Sequence, residues 1–167
     1  QGKNGHFVFY ERPGDFDLKQ LTAKGIDADA LLRHWLFITE YQWEVLDRDP
    51  LAKAITVLDI ASVSISSLVG DTLEVVKQTI TWANQHYPER SDVILMVNAP
   101  FWVSLLWQIV KPWVHENTQK KVRILSKKET LNVSIVELWQ YSYYYISYCI
   151  YQYIYIYICT SVCLYCV

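Results

Sequence analysis

The chain has 167 residues, about the length of one domain, and 52 % of its side chains are hydrophobic while 19 % are charged. This composition can bury a core and excludes an intrinsically disordered protein. A formal net charge of −2, with no basic stripe along the sequence, excludes the electrostatic surface that is typical of nucleic-acid-binding proteins.

Alternating strand and helix patterns begin near the amino terminus. An apolar run closed by Pro-Gly predicts a strand and a turn within Gly5–Gly14. Asp27 or Asp29 is a candidate cap for a helix that continues to about Leu46, because an Asp side chain accepts hydrogen bonds from the first free amides of a helix. The β-branched run Ile55–Ile60 predicts the second strand.

The same alternation continues through the following residues. Ser66–Gln85 has apolar residues at spacings of three and four, which predicts an amphipathic helix. Val93–Val97 is fully apolar, as is typical of a strand covered on both faces. A helix that is apolar nearly all round follows from Pro100, and Val122–Leu125 predicts a fourth strand. The order predicts an α/β fold with a mainly parallel sheet and right-handed crossover helices.

The stretch Leu138–Val167 differs in composition from everything before it. It contains no charged residue, all four cysteines and most of the tyrosines. It is long enough to cross a bilayer, although Tyr belongs at the membrane interface, and its Tyr/Ile alternation also fits a strand with two apolar faces. We favour a third interpretation, a translated intron or frameshift, because TAT and ATA codons make a TA repeat read as Tyr-Ile. We therefore predict a domain at residues 1–137 and a low-complexity tail at 138–167 that is not part of it.

No catalytic or metal-binding motif is present in the sequence. Gly-rich phosphate loops, Gly-x-Ser-x-Gly and His-Glu-x-x-His are missing, and the four histidines share no ligand spacing. Cys163 and Cys166 have the Cys-x-x-Cys spacing, but neither a second pair nor a nearby His accompanies them. We therefore predict a protein that is not an enzyme and has no metal or cofactor. Because the chain starts at Gln1 and has no signal-peptide pattern, we also expect it to be a fragment.

Several motifs follow one another in the order and spacing of a known family. Together they closely resemble the CRAL-TRIO lipid-binding domain of the yeast phosphatidylinositol/phosphatidylcholine transfer protein family, over about residues 3–133. The motifs are His86–Arg90, Val93–Val97, Asn98–Phe101, Trp107, Val110–Pro112 and Glu116–Leu125, with earlier matches at Gly5–Glu11, at the strand ending at Asp59 and at Ser64–Ser67.

The resemblance implies an α/β domain whose sheet forms the floor of a deep apolar pocket, roofed by a mobile helix and holding one lipid. An acyl chain that leaves a bilayer must be buried again, at about 0.8 kcal/mol per CH₂, so the wall of the pocket is expected to be large and apolar. The helix that follows Pro100 has such residues, and we predict that they line the pocket: Phe101, Trp102, Leu105, Leu106, Trp107 and Ile109.

The resemblance also implies the residues that contact the headgroup. Glu89 and Lys121 occupy the positions that contact inositol in phosphoinositide-binding members, with Thr118 beside Lys121. The segment of Ser64 and Ser66 resembles the one used for a choline headgroup. The predicted headgroup residues are Glu89, Arg90, Thr118, Lys121, Ser64 and Ser66. The alternative is that Glu89, Arg90 and Lys121 only form structural ion pairs. Phe9 replaces a Tyr of the yeast protein, which argues against choline-lipid binding.

These residues predict a non-catalytic protein that binds one phospholipid, most consistent with a phosphoinositide, and transfers or presents it at cytoplasmic membranes. Its expected partners are the lipid ligand and a transient membrane surface, with no nucleic acid. The alternative is an adaptor that keeps the fold and binds a signalling protein. The helical lobe before the domain and the family's carboxyl-terminal end have no counterpart here, so we expect an incomplete pocket and poor lipid transfer.

Overall fold

A computed structural model describes residues 6–15, 18–65 and 70–132 of the chain. Four parallel strands form one sheet in the order β1-β2-β3-β4. The strands are β1 Phe7–Glu11, β2 Ala54–Asp59, β3 Ser91–Val97 and β4 Val122–Ile124. Each predicted strand is therefore present within about two residues of its predicted position, and the predicted parallel sheet is confirmed. The predicted tail and the domain boundary at residue 137 lie outside the described residues.

Helices connect the strands, as the alternating pattern predicts. They are α1 Leu18–Ala23, α2 Ala28–Tyr41, α3 Asp71–His86, α4 Val103–Val110, α5 Glu116–Gln119 and α6 Lys127–Asn132. Parallel neighbours require such crossovers, because the chain must return to the same end of the sheet before each new strand. The predicted helix over residues 66–85 is confirmed from Asp71 onward, and residues 66–69 lie outside the described residues.

The first long helix shows which of its two candidate caps is used. The Asp27 side chain accepts a hydrogen bond of 2.8 Å from the Ala30 amide, whereas Asp29 lies inside the first turn of α2. The helix continues beyond Tyr41 as a π-helical turn, Gln42–Leu46, which ends where the sequence predicts. A capped start and a widened last turn thus make up the predicted helix.

The predicted start of the third long helix at Pro100 is wrong by three residues. The Val103 amide donates to the Pro100 carbonyl at 3.0 Å, so residues 100–102 form a turn before α4 begins at Val103. Pro lacks the amide that a helix interior needs and is suited to its entry. Sequence periodicity alone does not separate such a turn from the helix that follows it.

The core is densest at the centre of the sheet. Ile55, Val57 and Val97 form one buried cluster, in which Val57 is 1 % exposed. A second cluster, formed by Ile60, Ala99 and Val103, lies where β2 and β3 end and α4 begins. Since Val103 belongs to this second cluster, α4 is packed onto the sheet at its amino-terminal end.

The two faces of β2 are unequally buried. Ile55, Val57 and Asp59 alternate on one face and are buried, whereas Thr56 and Leu58 on the other face are only half-buried. Among the described residues, no helix is long and apolar enough to cross a membrane.

Candidate functional site

Two predicted headgroup residues lie side by side at the amino-terminal ends of two neighbouring strands. Glu89 lies in the loop before β3 and Lys121 lies directly before β4, so the adjacent parallel strands place the two residues side by side. The Lys121 Nζ atom is 2.8 Å from Glu89 Oε2 and donates a second bond of 2.8 Å to the Ser91 carbonyl. The Lys121 side chain is 20 % exposed and that of Glu89 is 52 % exposed. The pair is thus accessible to a ligand from the Glu89 side.

The conformation and charge of Glu89 are set by its neighbours. Its backbone has a φ of 61°, in the left-handed region that few residues other than Gly adopt. The hydrogen bond from Lys121, followed by one of 3.0 Å from Asn117 Nδ2 and by the charge of Lys121, lowers the pKa of the Glu89 carboxyl below its ordinary value. The site therefore presents a carboxylate beside an ammonium group at neutral pH.

Asn117 is part of this site and was not among the predicted residues. It lies in α5, one residue before Thr118, and its amide fixes one carboxylate oxygen of Glu89. The Thr118 carbonyl accepts the backbone amide of Lys121 at 3.0 Å, which ends α5 and directs the chain into β4. The sequence signal for Asn117 was its position inside the same Glu116–Leu125 motif that contains Thr118 and Lys121.

Arg90 is engaged elsewhere in the structure. Its guanidinium lies 4.5 Å from the centre of the Trp43 ring and donates to the carbonyls of Asp49 and Ala52 at 2.9 and 3.2 Å. Such a planar fork satisfies several acceptors at once. Arg90 thus connects the loop before β3 to the π-helical turn and to the loop before β2.

The predicted serine segment lies at the opposite, carboxyl-terminal ends of the strands. Ser64 is exposed and follows the carboxyl end of β2, whereas Glu89 precedes the amino end of β3. Because β2 and β3 are parallel neighbours, these positions are at opposite ends of the strands. Ser66 lies outside the described residues. The structure therefore brings Glu89 and Lys121 together and does not bring Ser64 to them.

The predicted pocket residues divide between two sides of α4. Leu105 and Ile109 are 62 % and 55 % exposed, and their spacing of four places them on one side of α4. Phe101, in the turn before the helix, is 88 % exposed, and we call these three residues the apolar stripe. Trp102, Leu106 and Trp107 are half-buried. The opposite side carries Val103 and Val110, which are buried. A helix that is apolar nearly all round thus packs with one side and leaves large apolar surface on the other.

Helix α5 connects this apolar helix to the charged pair. The Gln119 side chain donates to the carbonyls of Lys111 and Val114, just after α4, at 3.0 and 2.9 Å. Two residues earlier in α5, Asn117 donates to Glu89. Helix α5 thus contacts both the segment after α4 and the Glu89–Lys121 pair.

A second polar cluster, which was not predicted, lies where β1, β2 and β3 end. Asp59 is buried and accepts hydrogen bonds from Tyr10 Oη at 2.9 Å, Asn98 Nδ2 at 3.0 Å and the Ala61 amide at 3.1 Å. We call Tyr10, Asp59 and Asn98 the Asp59 cluster. Its members are 39 and 49 residues apart along the chain, so no local motif shows it.

Hydrogen bonding decides the ionisation of the Asp59 cluster. Burial favours the neutral carboxyl, yet the bonds from Asn98, the Ala61 amide and Tyr10 together lower the pKa of Asp59. Burial and the bond to Asp59 raise the pKa of the Tyr10 hydroxyl well above its ordinary value. At neutral pH the cluster is therefore a carboxylate held by neutral donors.

Residues 1–141 match the family model described as the CRAL/TRIO domain. The chain belongs to this family. It is 26 % identical over 131 residues to the Sec14 cytosolic factor of Schizosaccharomyces pombe, in an alignment that covers 73 % of this chain and 44 % of that protein. It is 34 % identical over 130 residues to the SEC14 cytosolic factor of Eremothecium gossypii, in an alignment that covers 74 % of this chain and 42 % of that protein. The chain thus spans less than half the length of these curated relatives.

A solved structure supports the same fold. The chain superposes on the crystal structure of Sfh5 with a TM-score of 0.63 and 23 % sequence identity, over 74 % of this chain and 45 % of that one. The CRAL/TRIO resemblance and the α/β fold with a parallel sheet are therefore confirmed.

Proposed function

We propose that this CRAL/TRIO domain binds a single phospholipid, with a phosphoinositide as the preferred class, and transfers or presents it at cytoplasmic membranes. The role is non-catalytic, and the bound phospholipid is a ligand and not a cofactor. The observation that carries the proposal is the apolar stripe formed by Leu105 and Ile109 on α4 and by Phe101 in the turn before it, which leaves large side chains uncovered in a domain of this family. A peripheral, cytoplasmic location fits the relatives that are called cytosolic factors.

An acyl chain is a suitable cover for this stripe. Each CH₂ group that leaves water contributes about 0.8 kcal/mol, and the exposed side chains regain burial in the same step. Exposed apolar patches of this kind mark ligand grooves or interaction surfaces in soluble proteins. The half-buried Leu58 on β2 and Trp102 beside α4 extend the apolar surface toward the sheet.

The preference for a phosphoinositide rests on the charged pair. Lys121 Nζ is a cation suited to a phosphate, and the Glu89 carboxylate accepts hydrogen bonds from hydroxyl groups such as those of inositol. The exposed side of Glu89 leaves room for such a donor. Lys121 and Glu89 are already paired with each other. A headgroup that binds there therefore forms additional hydrogen bonds with an ion pair that is already in place.

Native mass spectrometry of the purified chain tests the proposal. We expect one phospholipid per chain, and we expect Leu105→Gln to lower the occupied fraction because it places an amide in the apolar stripe. The matched control is Leu51→Gln, since Leu51 is 84 % exposed in the loop before β2. A folded wild-type chain that binds no lipid from phosphatidylinositol-containing vesicles would contradict lipid binding and favour the adaptor alternative.

A further inference from the structure

We infer that the Asp59 cluster is a positioning group that holds the start of α4 and thereby sets how fast lipid exchanges. The first part of this inference, that the cluster holds α4, stands on the structure alone. The second part, that the cluster sets the rate of lipid exchange, rests on the proposed function. Tyr10 and Asn98 both donate to Asp59 at the carboxyl ends of the strands, and Asn98 begins the connection from β3 to α4. Glu89 and Lys121 lie at the amino ends of β3 and β4, so the cluster acts through the position of α4.

Asn98 is the link between the cluster and the helix. It directly follows β3, and its backbone has a φ of 54°, a left-handed conformation that Asn tolerates better than most residues. Its amide donates to Thr130 Oγ1 at 2.9 Å, while its side chain donates to Asp59 Oδ1 at 3.0 Å. The next amide, that of Ala99, donates to the Leu125 carbonyl at 2.9 Å. The backbone that leads into α4 is thus held by Asp59 in β2, by Leu125 directly after β4 and by Thr130 in α6.

This connection is the hinge at the amino-terminal end of α4. The chain passes from β3 to α4 within residues 98–102, so a displacement of the helix must alter backbone torsions there. Val103 is packed at the same end, whereas Leu105 and Ile109 on the outer side are exposed. A lipid whose acyl chains are enclosed leaves only when a wall moves, and α4 carries the predicted wall.

Two substitutions loosen the connection without removing the core. Tyr10→Phe keeps the ring, which packs against the cluster of Ile55, Val57 and Val97, and removes the hydroxyl bond to Asp59. Asn98→Gly keeps a residue that adopts a positive φ freely and removes only the side-chain bond. The control is Thr39→Val, which removes a single hydroxyl bond of 2.9 Å to the Trp35 carbonyl inside α2.

Hydrogen exchange measures the connection without any lipid. For Tyr10→Phe and Asn98→Gly we expect the amides of α4 to exchange about tenfold faster, the factor for losing one hydrogen bond to a charged acceptor. The amides of α2 and α3 should exchange at the wild-type rate, and Thr39→Val should leave α4 unchanged. Unchanged α4 exchange in both variants, or equal acceleration in α2, α3 and α4, would overturn the inference, because the bonds would then support only global stability.

A lipid-transfer assay tests whether the cluster sets the rate of lipid exchange. Fluorescent phosphatidylinositol is moved from donor to acceptor phosphatidylcholine vesicles, and the initial rate is measured beside the equilibrium fraction bound. We expect Tyr10→Phe to raise the rate several-fold and to leave the bound fraction unchanged, since the cluster and the Glu89–Lys121 pair lie at opposite ends of the strands. If the wild type transfers lipid and Tyr10→Phe transfers it at the same initial rate, the inference about lipid exchange is overturned. A wild-type chain that neither binds nor transfers the lipid would refute the proposed function, while hydrogen exchange still decides whether the cluster holds α4.

Discussion

Lys121 and Glu89 are 32 residues apart in the chain and meet because β3 and β4 are adjacent and parallel. The resemblance predicted both residues and left open whether they bind a headgroup or only pair with each other. The structure shows the pair at 2.8 Å with Asn117 on the other carboxylate oxygen. Because the pKa of Glu89 is lowered, the pair is intact at neutral pH and is lost as the pH falls through that lowered pKa.

The double substitution Glu89→Ala with Lys121→Ala tests the headgroup assignment. We expect binding to phosphatidylinositol-containing vesicles to weaken at least about tenfold, the factor for losing a charge-assisted hydrogen bond. Vesicle co-sedimentation measures the change. The control is Glu116→Ala with Lys120→Ala, which removes a neighbouring exposed pair of 3.2 Å and alters the formal charge identically. Unchanged binding in the first variant would leave the pair a purely structural role.

At the scale of elements, the helices differ in how far local sequence determines them. The Asp27 cap and the end of the first long helix near Leu46 follow from short-range signals, because capping and chain termination involve neighbouring residues. The start of α4 does not, because the turn at residues 98–102 is held by Asp59, Thr130 and Leu125 from distant parts of the chain. Periodicity predicted an apolar helix there and could not predict which side is buried.

Removal of the helix cap gives a clean test of the local signal. Asp27→Ala should lower the free energy of unfolding by about 1 kcal/mol, since the Ala30 amide loses its acceptor. Urea denaturation followed by circular dichroism measures the difference. Asp29→Ala is the matched control, because Asp29 has the same charge and reaches only Arg33, at 4.0 Å on the surface. An equal loss in both variants would show that first-turn charge and not the cap is responsible.

At the scale of the whole molecule, the chain has the parallel sheet and an apolar helix of a CRAL/TRIO domain. The family match ends at residue 141, and the alignments cover less than half of the curated relatives. Phe101 and Leu131 remain 88 % and 79 % exposed, near the beginning of α4 and in α6. The bond between the Asn98 amide and Thr130 Oγ1 links α6 to the segment that leads into α4.

Addition of the carboxyl-terminal segment of a relative should therefore improve function. When residues 138–167 are replaced by the corresponding segment of the Eremothecium gossypii relative, we expect faster lipid transfer between vesicles than for the chain as it stands. Phospholipid transfer from phosphatidylinositol-containing donor vesicles measures the effect. A segment of equal length made of Gly and Ser serves as the control. Equal transfer by the two replaced chains and the original would show that the pocket does not depend on this region.

The sequence by itself determined the order of strands and helices and the apolar character of α4. Through family resemblance it also singled out Glu89 and Lys121 as candidate headgroup residues. These features depend on residue type, periodicity and motif spacing, all of which are local in the chain. Only the tertiary structure decided that Asn117 joins the charged pair, that Arg90 packs on Trp43 and that Asp59 binds Tyr10 and Asn98. Those contacts join residues far apart in sequence, and strand pairing and chain packing alone bring them within hydrogen-bonding distance.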